Sequence, residues 1–164
     1  MLQTHPIKPV FNKSSKVLIL GSFPSVISRK EQFYYANPQN RFWKVLANIF
    51  SSQIPKNKDE KIEFLLNYKI ALYDAAISCK IEGSSDAKMS DIKPANLSEI
   101  FNTSNIVQVF ANGNKAYEIC QKYLKDDIVK ATKKSIIKLP STSPANAKFN
   151  LDMLIREWDI IARV

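Results

Sequence analysis

The sequence predicts an α/β protein built on one parallel or mostly parallel sheet between layers of helix. The first observation is that four short segments have the pattern of strands: residues 17–20, 70–77, 106–111 and 135–139. The second is that the first of them is apolar at every position, which is typical of a strand buried on both faces. The third is that helical periods separate the strands, and this alternation favours a parallel sheet.

Length and composition predict one domain preceded by a short arm. The chain has 164 residues, of which 45% are hydrophobic, which suits a single core. Residues 1–15 contain two prolines, three hydroxyl side chains and two lysines, so we interpret them as an N-terminal arm. Residues 16–164 form the single domain. His5 is the only histidine and lies in the arm, which we expect to be mobile.

The charge of the chain points to an anionic partner. Lys and Arg number 24 against 15 Asp and Glu, a net charge of +9, so nucleic acid is the first candidate. A generally basic proteome would explain the charge equally well. No segment approaches the ~20 apolar residues of a membrane span, and the N-terminus lacks a secretory pattern. We therefore expect a cytoplasmic monomer with no membrane partner.

Several classes of chemistry are disfavoured by composition. Cys79 and Cys120 are far apart and lack a CxxC spacing, so neither a zinc site nor an iron–sulfur cluster is expected. Three glycines are too few for a glycine-rich phosphate loop, and a catalytic triad would have to use His5. We expect no cofactor and no metal, and neither acyl transfer nor nucleoside-triphosphate hydrolysis.

The first strand ends in a turn, Gly21 to Ser25, at the edge where open α/β sheets bind ligands. Residues 33–43 follow with five aromatics, two asparagines, a proline and an arginine, and show no regular period before Asn40. Aromatic faces stack on flat ligands, and neutral amides read a ligand edge or position a water. A nucleobase is the natural ligand for this segment.

The next segments alternate between helix and strand. Apolar residues recur at helical spacing from Arg41 to Phe50, and Asn40 stands at the N-cap position, so capping and pocket roles are both open. A second helix follows, with Ile62, Phe64, Leu65 and Leu66 as its apolar positions. The strand 70–77 carries Asp74, which is either a solvated strand end or an acceptor for a ring N–H.

The second half continues the same alternation. Residues 80–96 have the composition of an ordered surface loop, and a short helix beginning at Asn96 or Ser98 runs through Phe101. After the third strand, Asn112 to Asn114 lead into a helix through Leu124. After the fourth, residues 140–147 form a stiff, hydroxyl-rich loop before a terminal helix at 151–164. We expect this loop, residues 21–40 and Asp74 to meet at one sheet edge.

A pocket of amides, hydroxyls and aromatic rings on a basic surface suits a reaction that depends on positioning more than on a strong base. Cleavage of an N-glycosidic bond in DNA is such a reaction, because departure of the base can precede attack by water. The enzyme would flip the base out of the duplex, hold it by stacking and orient one water.

Three strings together resemble a known family: Gly21 to Ser25, Phe33 to Trp43 and Leu139 to Ala147. They are similar to the uracil-DNA glycosylase superfamily, and most closely to its hypoxanthine-DNA glycosylase branch. Tyr-Tyr-Ala-x-Pro-x-Asn-x-Phe-Trp and Pro-Ser-Thr-Ser-Pro-Ala-Asn are fairly specific to that branch. The resemblance implies a three-layer α/β/α sandwich around a four-stranded parallel sheet, and base excision without a metal or a covalent intermediate.

The resemblance also implies roles for individual residues. Asn40 positions the catalytic water and Tyr35 stacks on the extruded base. Asp74 stands where uracil enzymes keep an asparagine; ionised, it accepts the N1–H of hypoxanthine and repels a carbonyl, which disfavours strong uracil selectivity. The other expected base-binding residues are Gly21, Ser22, Phe23 and Asn112, and the expected DNA-binding residues are Ser141, Ser143, Pro144, Ala145, Asn146 and Lys148.

Two positions depart from the pattern of the superfamily. Phe23 stands where most members carry the Asp or Asn that activates water. Ser141 stands where many relatives have a histidine, so a hydroxyl or a backbone N–H has to stabilise the departing base.

The leading hypothesis is a DNA glycosylase acting on single- or double-stranded DNA that contains deaminated bases, hypoxanthine first. The alternatives are a uracil (mismatch) DNA glycosylase and a non-catalytic DNA-binding relative, the latter favoured by the missing acid and histidine. A generic nucleotide-binding domain would need a phosphate cradle, which three glycines do not provide.

Overall fold

The computed structural model describes residues 2–164 as an α/β fold with two sheets. The strands are β1 (Leu2–Thr4), β2 (Val17–Gly21), β3 (Ile70–Asp74), β4 (Ala76–Lys80), β5 (Ser90–Pro94), β6 (Gln108–Asn112) and β7 (Ile137–Leu139). The α-helices are α1 (Val26–Glu31), α2 (Phe42–Ile49), α3 (Lys58–Asn67), α4 (Ser98–Thr103), α5 (Asn114–Ile119), α6 (Lys125–Thr132) and α7 (Leu151–Trp158). A π-helical turn, Cys120–Leu124, joins α5 to α6, and 3₁₀ turns cover Asp86–Lys88 and Asp159–Arg163.

The main sheet has four parallel strands in the order β3-β2-β6-β7, which confirms the predicted fold class. Side chains alternate between its two faces. Val17 and Ile19 pack with the buried residues of α2, α3 and α7, whereas Leu18 and Leu20 pack with those of α4, α5 and α6. Because β2 is buried at all five positions, an uninterrupted apolar strand is what its place in the middle layer requires.

The parallel register brings the carboxyl ends of the strands to one edge of the sheet. Gly21 at the end of β2 lies opposite Asp74 at the end of β3, and Asn112 at the end of β6 lies opposite Leu139 at the end of β7. The segments that follow these strands therefore leave from the same edge. The sequence predicted this convergence.

The predicted strand 70–77 is in fact two strands that belong to different sheets. β3 ends at Asp74, and the N–H of Ala75 donates to the carbonyl of Gly21 at 2.7 Å as the chain leaves the parallel sheet. β4 then pairs antiparallel with both β1 and β5. Residues 80–96, expected to be a loop, thus contain β5, whose polar sequence gave no strand period because the strand is largely exposed.

The N-terminal arm, which we expected to be mobile, is hydrogen-bonded into the fold. β1 pairs with β4, and the N–H of His5 donates to the carbonyl of Ile77 at 2.7 Å. Val10 and Leu72 exchange two backbone hydrogen bonds of 2.9 Å each. Residues 2–10 therefore cover the outer edge of β3 and extend the second sheet.

The helix boundaries differ from the sequence predictions at several places. α1 lies in a segment predicted to be irregular, and its N-cap Ser25 accepts a hydrogen bond from the N–H of Ser28 at 3.1 Å. α2 has Arg41 rather than Asn40 at its N-cap. α6 extends the helical path beyond Leu124. Of the helices formed by residues 2–164, none has the length and apolarity to cross a membrane.

Candidate active site

A cavity of about 440 Å³ opens at the carboxyl edge of the parallel sheet. This volume lies within the usual range of ligand pockets, roughly 300–1,000 Å³. Its lining residues are drawn from the segments 21–28, 34–40, 84–86 and 141–145, together with Asp74 and Asn112. Three of these sources, the loops after β2, β3 and β7, are the ones that the sequence placed together.

Three polar side chains form a network along one wall of the cavity. The N–H of Thr142 donates to Oδ1 of Asn112 at 3.0 Å, and Nδ2 of Asn112 donates to Oγ1 of Thr142 at 3.0 Å. The Thr142 hydroxyl donates in turn to Oδ1 of Asn40 at 2.8 Å, and the N–H of Phe42 donates to the same oxygen at 3.0 Å. Thr142 is fully buried at the centre of this network.

The backbone N–H groups at the two ends of the network fix its polarity. An N–H can only donate, so the atoms that face Thr142 N and Phe42 N are the amide oxygens of Asn112 and Asn40. Nδ2 of Asn40 then has no hydrogen-bond partner within residues 2–164. Asn40 lines the cavity with its amide locked in one orientation and a donor left over.

Both amide atoms of Asn112, an expected base-binding residue, are hydrogen-bonded to Thr142. Asn112 still lines the cavity, and its network holds Asn40 in place. It does not cap the following helix, because the N-cap of α5 is Gly113.

Tyr35 presents a ring to the cavity and buries its hydroxyl. One face of the ring stacks on Phe42 with the centroids 4.1 Å apart, which leaves the other face for a ligand. Oη has almost no exposed surface of its own, and among such fully enclosed side-chain polar atoms of residues 2–164 it alone lacks a partner. Burial, and then the negative charge of Asp74, raise the pKa of Tyr35 far above its ordinary value, so the phenol stays protonated. An unpaired buried donor beside a cavity is a group that a bound ligand can satisfy.

Asp74 lies on the floor of the cavity above Gly21. A Cβ on Gly21 would stand 2.4 Å from Oδ1 of Asp74 and 2.8 Å from Oη of Tyr35, so only a glycine leaves room for both groups. The other carboxylate oxygen, Oδ2, is 2.7 Å from Nε2 of His5. Asp74 is 3% exposed, and Oδ1 has no hydrogen-bond partner in residues 2–164.

Ser22 and Phe23 complete the first-strand side of the cavity. The Ser22 hydroxyl donates to Oδ1 of Asp86 at 2.8 Å. Phe23 is 8% exposed and lies edge-on to the His5 ring, with the centroids 5.9 Å apart. This chain therefore places an apolar ring at the position to which the resemblance assigns a water-activating acid or amide.

The loop at 84–86 forms a side of the cavity that the sequence did not predict. Oγ of Ser84 accepts the N–H of Val26 at 3.0 Å, and the guanidinium of Arg29 donates to the carbonyl of Gly83 at 3.1 Å. Asp86 has an exposed surface, yet desolvation by the surrounding protein raises its carboxyl pKa, against the lowering effects of the Ser22 hydroxyl and Lys115. This loop carries no apolar or aromatic signal that a sequence pattern could detect.

The loop after β7 is held by one arginine. The Arg41 guanidinium donates to the carbonyls of Thr142 at 3.3 Å, Ser143 at 2.7 Å and Asn146 at 3.1 Å, and also to that of Phe149. Arg41 forms no ion pair within residues 2–164. Its charge is compensated by carbonyl dipoles, and the five N–H groups of a guanidinium suit that task.

The expected DNA-binding residues lie on this loop at different depths. Ser141, Ser143, Pro144 and Ala145 line the cavity. Oγ of Ser141 accepts the N–H of Ser143 at 3.1 Å. Nδ2 of Asn146 donates to the carbonyl of Ser141 at 3.0 Å, which braces the loop. Lys148 is exposed and stands outside the cavity lining.

Other reactive groups in the chain are remote from this chemistry. Cys79 and Cys120 are free and buried, and burial raises the pKa of the Cys120 thiol to about 12. Neither thiol is an available nucleophile near neutral pH. Residues 2–164 contain no cluster of three His, Cys, Asp or Glu side chains placed to hold a metal ion.

Thr142, Arg41 and His5 are the site residues that sequence reasoning missed. Thr142 and Arg41 lie inside the two strings already singled out, but no local pattern distinguishes a network centre or a loop anchor from a solvated side chain. His5 is 69 residues away from Asp74 along the chain, so only the folded structure brings them together.

The fold and the cavity define a class of α/β protein with a ligand-sized cavity at the carboxyl edge of a four-stranded parallel sheet. Residues 8–161 match the family described as the Uracil DNA glycosylase superfamily. The chain belongs to this superfamily.

Individual relatives agree with the family match. The chain is 33% identical to a hypoxanthine DNA glycosylase of Methanosarcina barkeri over 112 residues, 67% of this chain and 71% of that protein. It is 28% identical over 156 residues to a hypoxanthine DNA glycosylase of Methanosarcina acetivorans, 94% of each chain. A solution NMR structure of a candidate uracil DNA glycosylase from Methanosarcina acetivorans superposes with a TM-score of 0.81 at 27% identity, covering 99% of this chain and 98% of that one.

Proposed function

We propose that this protein is a monofunctional DNA glycosylase that hydrolyses the N-glycosidic bond of deoxyinosine and releases hypoxanthine. The observation that carries the proposal is the carboxylate of Asp74 on the cavity floor, with Oδ1 open beside Gly21. A carboxylate accepts the N1–H of hypoxanthine and repels the ring nitrogen lone pair that adenine presents at the same position. The curated relatives named hypoxanthine DNA glycosylases support the same substrate.

The base enters the cavity after it is flipped out of the DNA, as the chemistry at a base requires. Its face stacks on the free face of Tyr35, whose other face rests on Phe42. Its edge meets Asp74. Because Asp74 is only 3% exposed, an extruded nucleotide can reach it and a base that remains in the helix cannot.

Asn40 holds the attacking water. Because Oδ1 is occupied by Phe42 N–H and the Thr142 hydroxyl, Nδ2 binds the water by donating to its oxygen. An amide cannot remove a proton, so this arrangement works only if the base departs first and water attacks an oxocarbenium-like sugar. Positioning, rather than basicity, is the contribution of Asn40.

The departing base carries negative charge that donors must stabilise. The Ser141 hydroxyl lines the cavity at the place where the resemblance implies a histidine in many relatives. Oγ accepts one hydrogen bond and donates none within residues 2–164, so its proton can be donated to the base. This is a weaker donor than a protonated imidazole, and it predicts slower chemistry than in histidine-containing relatives.

The test uses a duplex oligonucleotide with one deoxyinosine and measures alkali-labile sites under single-turnover conditions. The wild-type protein should produce them. Asn40→Ala should lower the rate by about 100-fold or more, the scale expected when a group that positions a reactant is lost. Its dissociation constant for the same duplex should change little. Asn48→Ala, an exposed asparagine on α2 that bonds only Lys44, is the matched control and should keep full activity.

Three outcomes would contradict the proposal. Full activity of Asn40→Ala would remove this amide from the mechanism. Faster excision of uracil from a mismatch with guanine than of hypoxanthine would make the substrate assignment wrong. Complete absence of abasic product with excess wild-type protein, together with tight DNA binding, would instead favour the non-catalytic relative.

A further inference from the structure

His5 is a buried group to which the proposed reaction gives no role. Its side chain is 0% exposed although its backbone lies near the surface. Three aromatic rings surround the imidazole, those of Tyr73, Phe23 and Tyr34, with centroids 5.0, 5.9 and 6.0 Å from it. The ring is therefore held in one place from three sides.

The hydrogen bonds of His5 determine which nitrogen carries the proton. The N–H of Ile7 donates to Nδ1 at 3.2 Å, so Nδ1 is an acceptor and carries no proton. In that tautomer Nε2 carries the proton and donates it to Oδ2 of Asp74 at 2.7 Å. The backbone at Ile7 thus aims the Nε2–H at the carboxylate.

This bond turns one carboxylate oxygen of Asp74 toward His5 and leaves the other for the cavity. Oδ2 accepts the Nε2–H of His5, a ring outside the cavity lining, and Oδ1 lies beside Gly21 without a partner in residues 2–164. A free carboxylate has two parallel acceptors, which match the N1–H and the 2-amino group of guanine as a bidentate pair. Hypoxanthine offers a single N1–H with a C2–H beside it, which matches one acceptor.

We infer that His5 is a positioning and specificity-determining residue, which holds Asp74 as a single acceptor and so favours hypoxanthine over guanine. The inference rests on the proposed function, because it takes the base to be read by Asp74. It makes the N-terminal arm part of the recognition apparatus. His5 acts through Asp74 and does not itself line the cavity.

Two substitutions separate the hydrogen bond from the packing. His5→Phe keeps an aromatic ring among Phe23, Tyr34 and Tyr73 but removes the donor. His5→Gln places an amide N–H near the position of Nε2 and restores it. Thermal unfolding of both variants reports whether the arm remains folded.

The measurements are kcat and KM for deoxyinosine duplex, and inhibition of excision by free hypoxanthine and free guanine. His5→Phe should lower kcat/KM by about 10- to 100-fold, the loss expected for one hydrogen bond to a charged group. It should also lower the ratio of hypoxanthine to guanine affinity about tenfold. His5→Gln should recover most of both losses.

The inference would be overturned if His5→Phe left the ratio of hypoxanthine to guanine affinity unchanged. It would also be overturned if His5→Gln lost as much kcat/KM and as much of this ratio as His5→Phe. A purely structural role would lower activity and Tm without changing the ratio. If the wild-type protein excises no hypoxanthine, the proposed function fails first. The inference is then judged by the affinities of the three proteins for free hypoxanthine and guanine, measured by titration calorimetry, with the same expected order.

Discussion

At the scale of single residues, Gly21 shows how a missing side chain shapes the cavity. It ends β2, is buried, and has two polar atoms within 3 Å of the place where a Cβ would be. Its backbone conformation does not require glycine, because its φ is not in the left-handed region. The requirement is steric. The polar groups of Asp74 and Tyr35 occupy the space that any larger residue would need.

Gly21→Ala should therefore impair recognition more than folding. The added methyl group displaces Asp74 and Tyr35, at a cost of about 1–3 kcal/mol from overpacking. Excision of hypoxanthine should fall by roughly 100-fold, the scale of a displacement of about 1 Å in a positioned group. Single-turnover kinetics and thermal unfolding measure the two effects.

Gly83→Ala is the comparison for this variant. Its added methyl group meets nothing within 4 Å, although its φ of 61° strains an alanine there. It should lower Tm slightly and leave excision unchanged. Equal loss of activity in both variants would show that Gly21 does not act by shaping the cavity.

At the scale of elements, the loop after β7 depends on Arg41 at the start of α2. Four carbonyls of residues 142–149 converge on one guanidinium, and the loop has few apolar contacts of its own. The arginine links the two segments that carry Asn40 and Ser141. Together with the hydrogen bond from Thr142 to Asn40, this side chain fixes their relative position, although it does not line the cavity.

Arg41→Met should release this loop. Several carbonyls lose a charged donor, which costs about 2–3 kcal/mol and lowers Tm by roughly 4–12 °C for a chain of this size. Affinity for DNA should fall with it, since the loop contributes the expected DNA contacts. Differential scanning calorimetry and fluorescence anisotropy measure the changes.

Arg41→Lys should rescue little, because an ammonium cannot reach four carbonyls in a plane. Arg156→Met is the control. Arg156 lies on the exposed face of α7, so this variant loses the same charge but no hydrogen bond that supports the fold. A Tm of Arg41→Met equal to that of the control would contradict the anchoring role.

At the scale of the whole molecule, a net charge of +9 favours binding to the DNA backbone. Each phosphate neutralised by a lysine contributes about −0.9 to the slope of log K against log salt on duplex DNA. Lys148, on the loop beside the cavity, is placed to make one such contact. Most of the other basic residues are spread over the surface.

Lys148→Ala should therefore make the salt slope about one unit less steep and weaken binding to all sequences alike. Lys130→Ala removes an equivalent exposed charge near the C-terminal end of α6. The chain enters β7 after this helix end, at the edge of the sheet opposite the cavity. It should leave the slope unchanged. If the slope of log K against log salt were equal in the two variants, Lys148 would not contact a phosphate.

Much of the fold was predictable because its signals are local. An apolar run such as Val17 to Leu20 cannot be solvated, so it specifies a strand with helices on both sides. The boundaries were less predictable where tertiary pairing decides them. Residues 70–77 form one apolar run, yet the chain passes from one sheet to another at Ala75, and only the pairing partners mark the change.

The sequence by itself determined the layered α/β architecture, the converging loops and the residue types available to them, because periodicity and turn chemistry act over a few neighbours. Only the tertiary structure decided which polar groups pair. In the folded chain the Thr142 hydroxyl donates a hydrogen bond to Oδ1 of Asn40, and His5 is hydrogen-bonded to Asp74, 69 residues away along the chain. Hydrogen bonds depend on the distance between two atoms in space, and the number of residues between them along the chain does not give that distance.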